Sequence, residues 1–174
     1  MMRAMTLDVF NAAIHEPAEL LEAQGTRIDA AATLVANLRR NVIRDSSSGR
    51  PIIDIPAPEE PTRLAKGLAT IACHHAAIFG REQAEDLDMQ AAMRSALDSI
   101  PAARLAILQN VAGEIFTKAS DIRELSGLPK NAVQWHTDEL EALGVLKIGK
   151  TVDDERVCAF TKDFMEFWTD AGLG

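Results

Sequence analysis

Cations are in the minority in this 174-residue chain: 18 Lys plus Arg stand against 26 Asp plus Glu, a formal charge of −8. That excludes a uniformly basic protein of the kind that coats nucleic acid by charge alone. Cysteine is scarce, and the two present, Cys73 and Cys158, are far apart in sequence. No disulfide framework is expected, and both thiols are read as reduced and buried. No apolar run approaches the roughly 20 residues that a bilayer-spanning helix needs. The N-terminal MMRAMTLDVF has neither the apolar core nor the small-residue cleavage site of a signal peptide, so a cytoplasmic protein with no membrane partner is expected. No G-x-x-x-x-G-K-S/T loop occurs, and no serine or cysteine stands in a nucleophile motif. These absences argue against an enzyme and imply no cofactor.

Metal ligands are equally sparse. Cys73, His74 and His75 form the one cluster, but adjacent residues on a helix point about 100° apart and cannot all face one ion. A buried thiol and a semi-buried histidine on a packing face explain them without a metal. The paired carboxylates Asp86 with Asp88 and Asp153 with Asp154 fall at a helix start and in a turn, where acids are ordinary.

What the chain does have is helical pattern and 47% hydrophobic residues, enough for one sizeable core or two small ones. Thr6 can cap a short helix carrying Asp8 in its first turn and Leu7, Phe10 and Ile14 along it. A longer helix is predicted from about Thr26 to Arg44, with Ile28, Ala31, Val35, Leu38 and Val42 on one stripe and Arg39, Arg40 and Arg44 toward its end. Residues 46–61, SSSGRPIIDIPAPEEP, read as a linker or draped loop because serine, glycine and four prolines forbid regular helix. Helical pattern resumes over 62–99, with Leu64, Leu68, Ile71, His75 and Ile78 on one face, a break at Gly80 and a second helix in EDLDMQAAMRSALDSIP.

From residue 101 onward the punctuation is denser. Ile122 and Leu125 give an apolar edge to a short helix that Gly127 stops, because a left-handed backbone costs least in glycine. Pro129 then sits just inside a second helix, and Val133, Thr137, Leu140 and Leu143 recur on its core side. Lys130, Asn131, Gln134, Trp135 and Asp138 are left for the outer side. Gly144 closes that helix; Val145–Thr151 and Arg156–Thr161 read as strands joined by the polar turn 152–155. A last helix, Lys162–Ala171, places Phe164, Phe167 and Trp168 together.

The phrase SDIRELSGLPKNAVQWHTDELEALGVL, within that order of helix, helix, helix, hairpin and helix, resembles the winged helix-turn-helix domains of bacterial regulators of the MarR and ArsR kind. The resemblance implies a DNA-binding fold over residues 101–174, a recognition helix from Pro129 to Leu143 in the major groove and a wing on the backbone. The stretch PTRLAKGLATIACHHAAIFGREQAEDLDMQAAMRSALDSIPAARLAIL resembles the helical lid of AAA+ ATPases, and Arg63 matches the lid arginine that reaches a γ-phosphate in that family. Without a phosphate-binding loop, Arg63 could serve nucleotide only in company with an ATPase partner.

Charge weighs against DNA and must be segregated for it to bind. Residues 101–174 hold 8 Lys plus Arg against 12 Asp plus Glu, a net of −4, and residues 1–100 also net −4. Lys118, Lys130, Lys147, Lys150 and Arg156 could gather on the side of the recognition helix and wing, although Asp153, Asp154 and Glu155 at the wing tip would repel a backbone. Asn131 and Gln134 suit bidentate contacts to adenine; an ordinary polar helix surface accounts for them equally. Trp135 either meets a sugar-phosphate edge or thymine methyl, or packs beneath the wing or against the N-terminal helices.

The expectation is therefore a mainly α protein: a helical region over 1–100, and a winged-helix domain with one small β-hairpin over 101–174. Double-stranded DNA binding in transcription regulation, with a homodimer formed through the helical half, is the first reading. A protein interaction module docked on an ATPase or replication assembly, for which an acidic surface is no handicap, is the second.

Overall fold

A computed structural model describes residues 17–47 and 49–173. The expected helix around Leu7, Phe10 and Ile14 lies outside the described residues. Among the described residues, seven helices and two small antiparallel sheets make the fold mainly α with a small β-hairpin. In chain order these are α1 (Glu22–Leu38), β1 (Ile43–Arg44), β2 (Ile52–Asp54), α2 (Pro61–Ile78), α3 (Asp86–Asp98), α4 (Ala102–Val111), β3 (Thr117–Lys118), α5 (Ala119–Ser126), α6 (Lys130–Ala142), β4 (Leu146–Lys150), β5 (Arg156–Phe160) and α7 (Lys162–Asp170).

α1 ends at Leu38, six residues short of the expected Arg44, and Ile43–Arg44 form a strand instead. The reason lies beyond the helix. Val42 is buried, Ile43 pairs with Asp54 and Arg44 with Ile52, while Arg40 donates to the carbonyls of Ile55 (3.1 Å) and Pro56 (2.8 Å). The proline-rich segment is thus strapped along the end of α1 and contains a strand of its own. Arg39 pairs with Glu59 at 3.0 Å. The arginines expected to complement a helix end act as braces between chain segments.

Of the stripe expected on α2, Leu68 is buried and Leu64 packs on the core, but Ala72 and Ala76 take the other buried positions and Ile71 and Ile78 are exposed. Small alanines allow α1 and α3 to approach α2 closely, so they win the buried positions over larger residues at the margin of the stripe. α3 starts with a reciprocal cap, Asp88 Oδ2 accepting from the Glu85 N–H at 2.8 Å. The Asp88 side chain is fully buried, with His75 Nδ1 2.6 Å from its Oδ1 and the Arg81 guanidinium on the same oxygen. Its carboxyl is held below the usual range: burial pushes it up, and the bonds to His75, the Glu85 amide and Arg81 outweigh that push. Cys73 is half-buried on α2, not fully buried as expected.

The second half follows the predicted order closely. Gly127 stops α5 with φ 68°, Gly144 follows α6 with φ 75°, and Val133, Thr137, Leu140 and Leu143 are all buried. Pro129 lies one residue before α6 rather than within it. β4 pairs with β5 along its length, from Leu146 with Phe160 to Lys150 with Arg156. The sheet gains a third strand that was not foreseen, β3, which pairs Thr117 with Cys158 and Lys118 with Val157. Leu125 is 70% exposed and Phe167 51% exposed, against expectation. α5 is short and buries Ile122, with Ala119 partly buried beside the core; on α7, Phe164 and Trp168 stand one turn apart and turn Phe167 to the flank.

One apolar core crosses the sequence boundary at residue 100. It joins Ile28, Val35, Leu38, Leu68 and Met89 to Ile107, Ile122, Leu140, Leu146 and Trp168. Polar ties follow the same path: Arg27 donates to the carbonyls of Ala171 and Gly172, and Asn37 to that of Leu143.

Candidate functional site

α6 is where most of the predicted site residues meet. With Val133, Thr137 and Leu140 inward, the 3.6-residue period turns Lys130, Asn131, Gln134 and Trp135 outward, and all four are exposed. Thr137 stays on the buried side because its hydroxyl donates to the Val133 carbonyl at 2.8 Å. An open groove of about 440 Å³ lies between α5, the first half of α6 and the β4–β5 turn, with Ser120, Arg123, Lys130, Gln134, Asp154 and Arg156 among its walls. Arg123, which sequence reasoning passed over, is exposed at the rim. Its signal was available: it follows the inward Ile122 on an eight-residue helix.

The cations around this groove are unequal. Lys118 pairs with Glu155 at 3.1 Å, Lys150 with Asp154 at 2.6 Å, and Arg156 with Asp138. Glu155 raises the Lys118 ammonium above its ordinary value, and the Ser120 hydroxyl, then Lys118, lower the Glu155 carboxyl. Arg156 Nε is buried with no hydrogen-bond partner among the described residues. Glu141 accepts the Ile148 N–H at 3.2 Å, so α6 and the hairpin are fastened at two points. By contrast, no described carboxylate lies within 4.0 Å of Lys130, Lys147 or Arg123. Asp154 and Glu155 therefore pair with cations at the wing, while Lys130 at the start of α6 and Lys147 on the outer edge of β4 stand without such a partner among the described residues.

The other flank of α6 is organised by Glu139, which sequence reasoning assigned no role. Arg104 is 6% exposed and donates from Nη2 to Glu139 Oε2 at 3.1 Å and from Nη1 to the carbonyls of Leu38 (2.7 Å) and Arg40 (2.8 Å). Arg44 Nε reaches Glu139 Oε1 at 3.5 Å, and His136 Nδ1 lies 3.0 Å from Oε2. Burial pushes the Glu139 carboxyl up, but His136 and Arg104 bind its charged form and hold it below the usual carboxylate range. Arg44 also donates to the Trp135 carbonyl at 2.9 Å and to the Arg50 carbonyl at 3.0 Å. The Trp135 ring, 41% exposed, takes the Arg50 guanidinium on its face at 5.3 Å.

Arg63 stands apart from all of this, exposed in the first turn of α2. Among the described residues no group of three or more His, Cys, Asp or Glu side chains is gathered as a metal site would need, and no helix is long and apolar enough to cross a membrane. No family model matches the chain, and no curated protein is significantly similar to it.

Proposed function

We propose that the protein binds double-stranded DNA in transcription regulation through a winged helix-turn-helix, with α6 as recognition helix and the β4–β5 hairpin as wing. The observation that carries this reading is the division of α6. Its buried side fixes the helix on α4 and β4, while Lys130, Asn131 and Gln134 project from the N-terminal half, the part that meets base edges when such a helix enters a major groove. Gln134 and Asn131 carry the bidentate geometry for adenine, and Lys130 and Lys147 are charged groups free for phosphates. Lys118 and Lys150 are held only by surface pairs that water and salt screen, so phosphate can take the place of their carboxylates. Arg156 serves to seat the wing on Asp138. With so few free cations, useful affinity requires two copies. Phe79 and Leu87, exposed around the turn between α2 and α3, are side chains a homodimer contact in the helical half would bury.

The acids of the wing tip and that same apolar turn favour a second reading: a protein interaction module, with the lid-like helices and Arg63 docked against an ATPase partner. Fluorescence anisotropy of labelled random duplex DNA, at low salt and near physiological salt, separates the two. Binding at low salt that weakens steeply with ionic strength supports DNA binding. Absence of binding at micromolar protein and low salt overturns it in favour of the protein module.

A further inference from the structure

We propose that Arg50, carried on the β1–β2 hairpin and stacked on Trp135, is a second backbone clamp that grips a DNA phosphate beside α6. This inference rests on the DNA reading of α6 and adds to it a contact from the N-terminal half of the chain, which the winged-helix resemblance does not include.

The β1–β2 hairpin is aimed at α6 by Arg44. One arm of that guanidinium holds the Arg50 carbonyl, the other the Trp135 carbonyl, and Nε faces Glu139, so a single side chain ties Arg50 to the helix. The turn is closed by the Asp45 N–H on the Pro51 carbonyl at 2.9 Å and the Arg50 N–H on the Ser47 carbonyl at 3.1 Å. Arg50 itself has φ +44°, a conformation that non-glycine residues seldom adopt and that needs such surroundings to persist. Position 50 thus carries arginine where the local backbone would favour glycine or asparagine. The side chain that results is exposed, makes no hydrogen bond with the described residues and has no described carboxylate within 4.0 Å. Asp45, the acid of the same turn, is occupied by the Ser47 hydroxyl at 2.9 Å and the Ser47 N–H at 3.2 Å.

Stacking takes one face of the guanidinium and leaves its N–H edge open. A planar fork held by one face with its donors unspent is matched to two oxygens of a phosphate, and part of the ordering entropy is already lost before binding. Trp135 lies one helical turn beyond Asn131, so the clamp sits next to the outward residues of the recognition helix. The wing meets α6 through Asp138 and Glu141, while Arg44 meets it through Trp135 and Glu139. The two sets of contacts adjoin: Trp135 and Asp138 are about 60° apart at 100° per residue, and the β1–β2 turn from Gly49 to Ile52 lines one groove with Asp138, Glu141 and Ala142, so the two hairpins border neighbouring parts of the outward face of α6. Trp135 is then a platform that positions the clamp, not a base-reading side chain.

The test is the salt dependence of binding to random duplex DNA by the full chain and by the variants Arg50→Ala, Arg50→Lys and Trp135→Ala, with thermal unfolding to confirm that each folds. Loss of one phosphate contact lowers the slope of log affinity against log salt by about 1, so between 50 and 200 mM salt Arg50→Ala should lose about fourfold less affinity than the unsubstituted protein. Trp135→Ala should reproduce part of that change, and adding it to Arg50→Ala should do nothing more. Arg50→Lys should recover the slope but not the full affinity, since ammonium restores the charge and not the fork. Binding by the unsubstituted protein with an unchanged slope in Arg50→Ala overturns the clamp and leaves the DNA reading standing. No binding by the unsubstituted protein overturns both.

Discussion

Where the β4–β5 hairpin meets α6, Lys118, Lys150 and Arg156 each face an acid, Glu155, Asp154 and Asp138. Where the β1–β2 hairpin meets the same helix, Arg44 directs its donors to two carbonyls and Glu139, and Arg50 rests on an indole with no described carboxylate within 4.0 Å, although Asp138 and Glu141 line the same groove. The hairpin nearest the residues first expected to touch DNA is the more neutral of the two. A net charge of −8 therefore says little about either flank. The quantity that decides whether an anion can approach is the set of cations left over after internal pairing, and ion pairs form through space between segments that composition treats as separate.

The contrast can be broken at its foundation. Arg104→Met should cost about 3 to 5 kcal/mol in urea unfolding, because it leaves Glu139 short of its principal cation and the Leu38 and Arg40 carbonyls without a donor. A cost under about 1 kcal/mol would mean that the bracket on this flank is not what holds β1–β2 to α6. Leu140→Ala, which undermines the helix both hairpins lean on, should cost about 2 to 5 kcal/mol, and a near-neutral result would contradict the burial of that side chain.

Acid sharpens the comparison further. Glu139 titrates lower in the folded protein than its ordinary 4.5, so its charged form is favoured by folding. That contribution is fully present above the unfolded value and is lost as pH falls through the folded one. Unfolding followed from pH 6 downward should show stability declining below about 4.5, and Glu139→Gln should flatten the decline. An identical decline in the variant would place the acid sensitivity elsewhere, with Asp88 the next group to substitute. The smallest effect belongs to the wing: Asp154→Asn releases Lys150 while keeping a residue type that tolerates φ 61°. Stability should change by no more than about 1 kcal/mol, while the salt slope of DNA binding should steepen by about 1 as Lys150 becomes available. An unchanged slope would remove Lys150 from the interface.

What could be read in the sequence was local. Gly127, Pro129 and Gly144 are punctuation whose meaning depends on immediate neighbours, and the spacing of Val133, Thr137 and Leu140 fixed the phase of α6 correctly. Three kinds of feature escaped. Ala72 and Ala76 are too small to stand out in a hydropathy stripe, yet they define the buried face of α2 because only small residues permit its close approach to neighbours. β3 is two residues long and exists only because β5, about forty residues on, offers it a free edge. The third kind is long-range hydrogen bonding. Nothing near Arg40 or Arg44 in sequence announces that the first will hold the Pro56 carbonyl and the second that of Trp135, and those bonds end α1 early and set Arg50 against α6. Arginine in a Ser-Gly-Arg-Pro turn was the available hint, since loop residues held in unusual backbone conformations are common at sites of function.

Arg104 closes a circuit among three stations of the chain: the end of α1, its own position on α4, and Glu139 on α6. Loop closure of that span is entropically costly and is repaid only when all three arrive, so the helical half and the helix-hairpin half are expected to melt in a single transition. Residues 101–174 produced alone would expose the apolar surface that Leu38 and Val35 now cover and leave Arg104 with a single anchor. A biochemist dissecting this protein should therefore expect point substitutions to be far more informative than truncations.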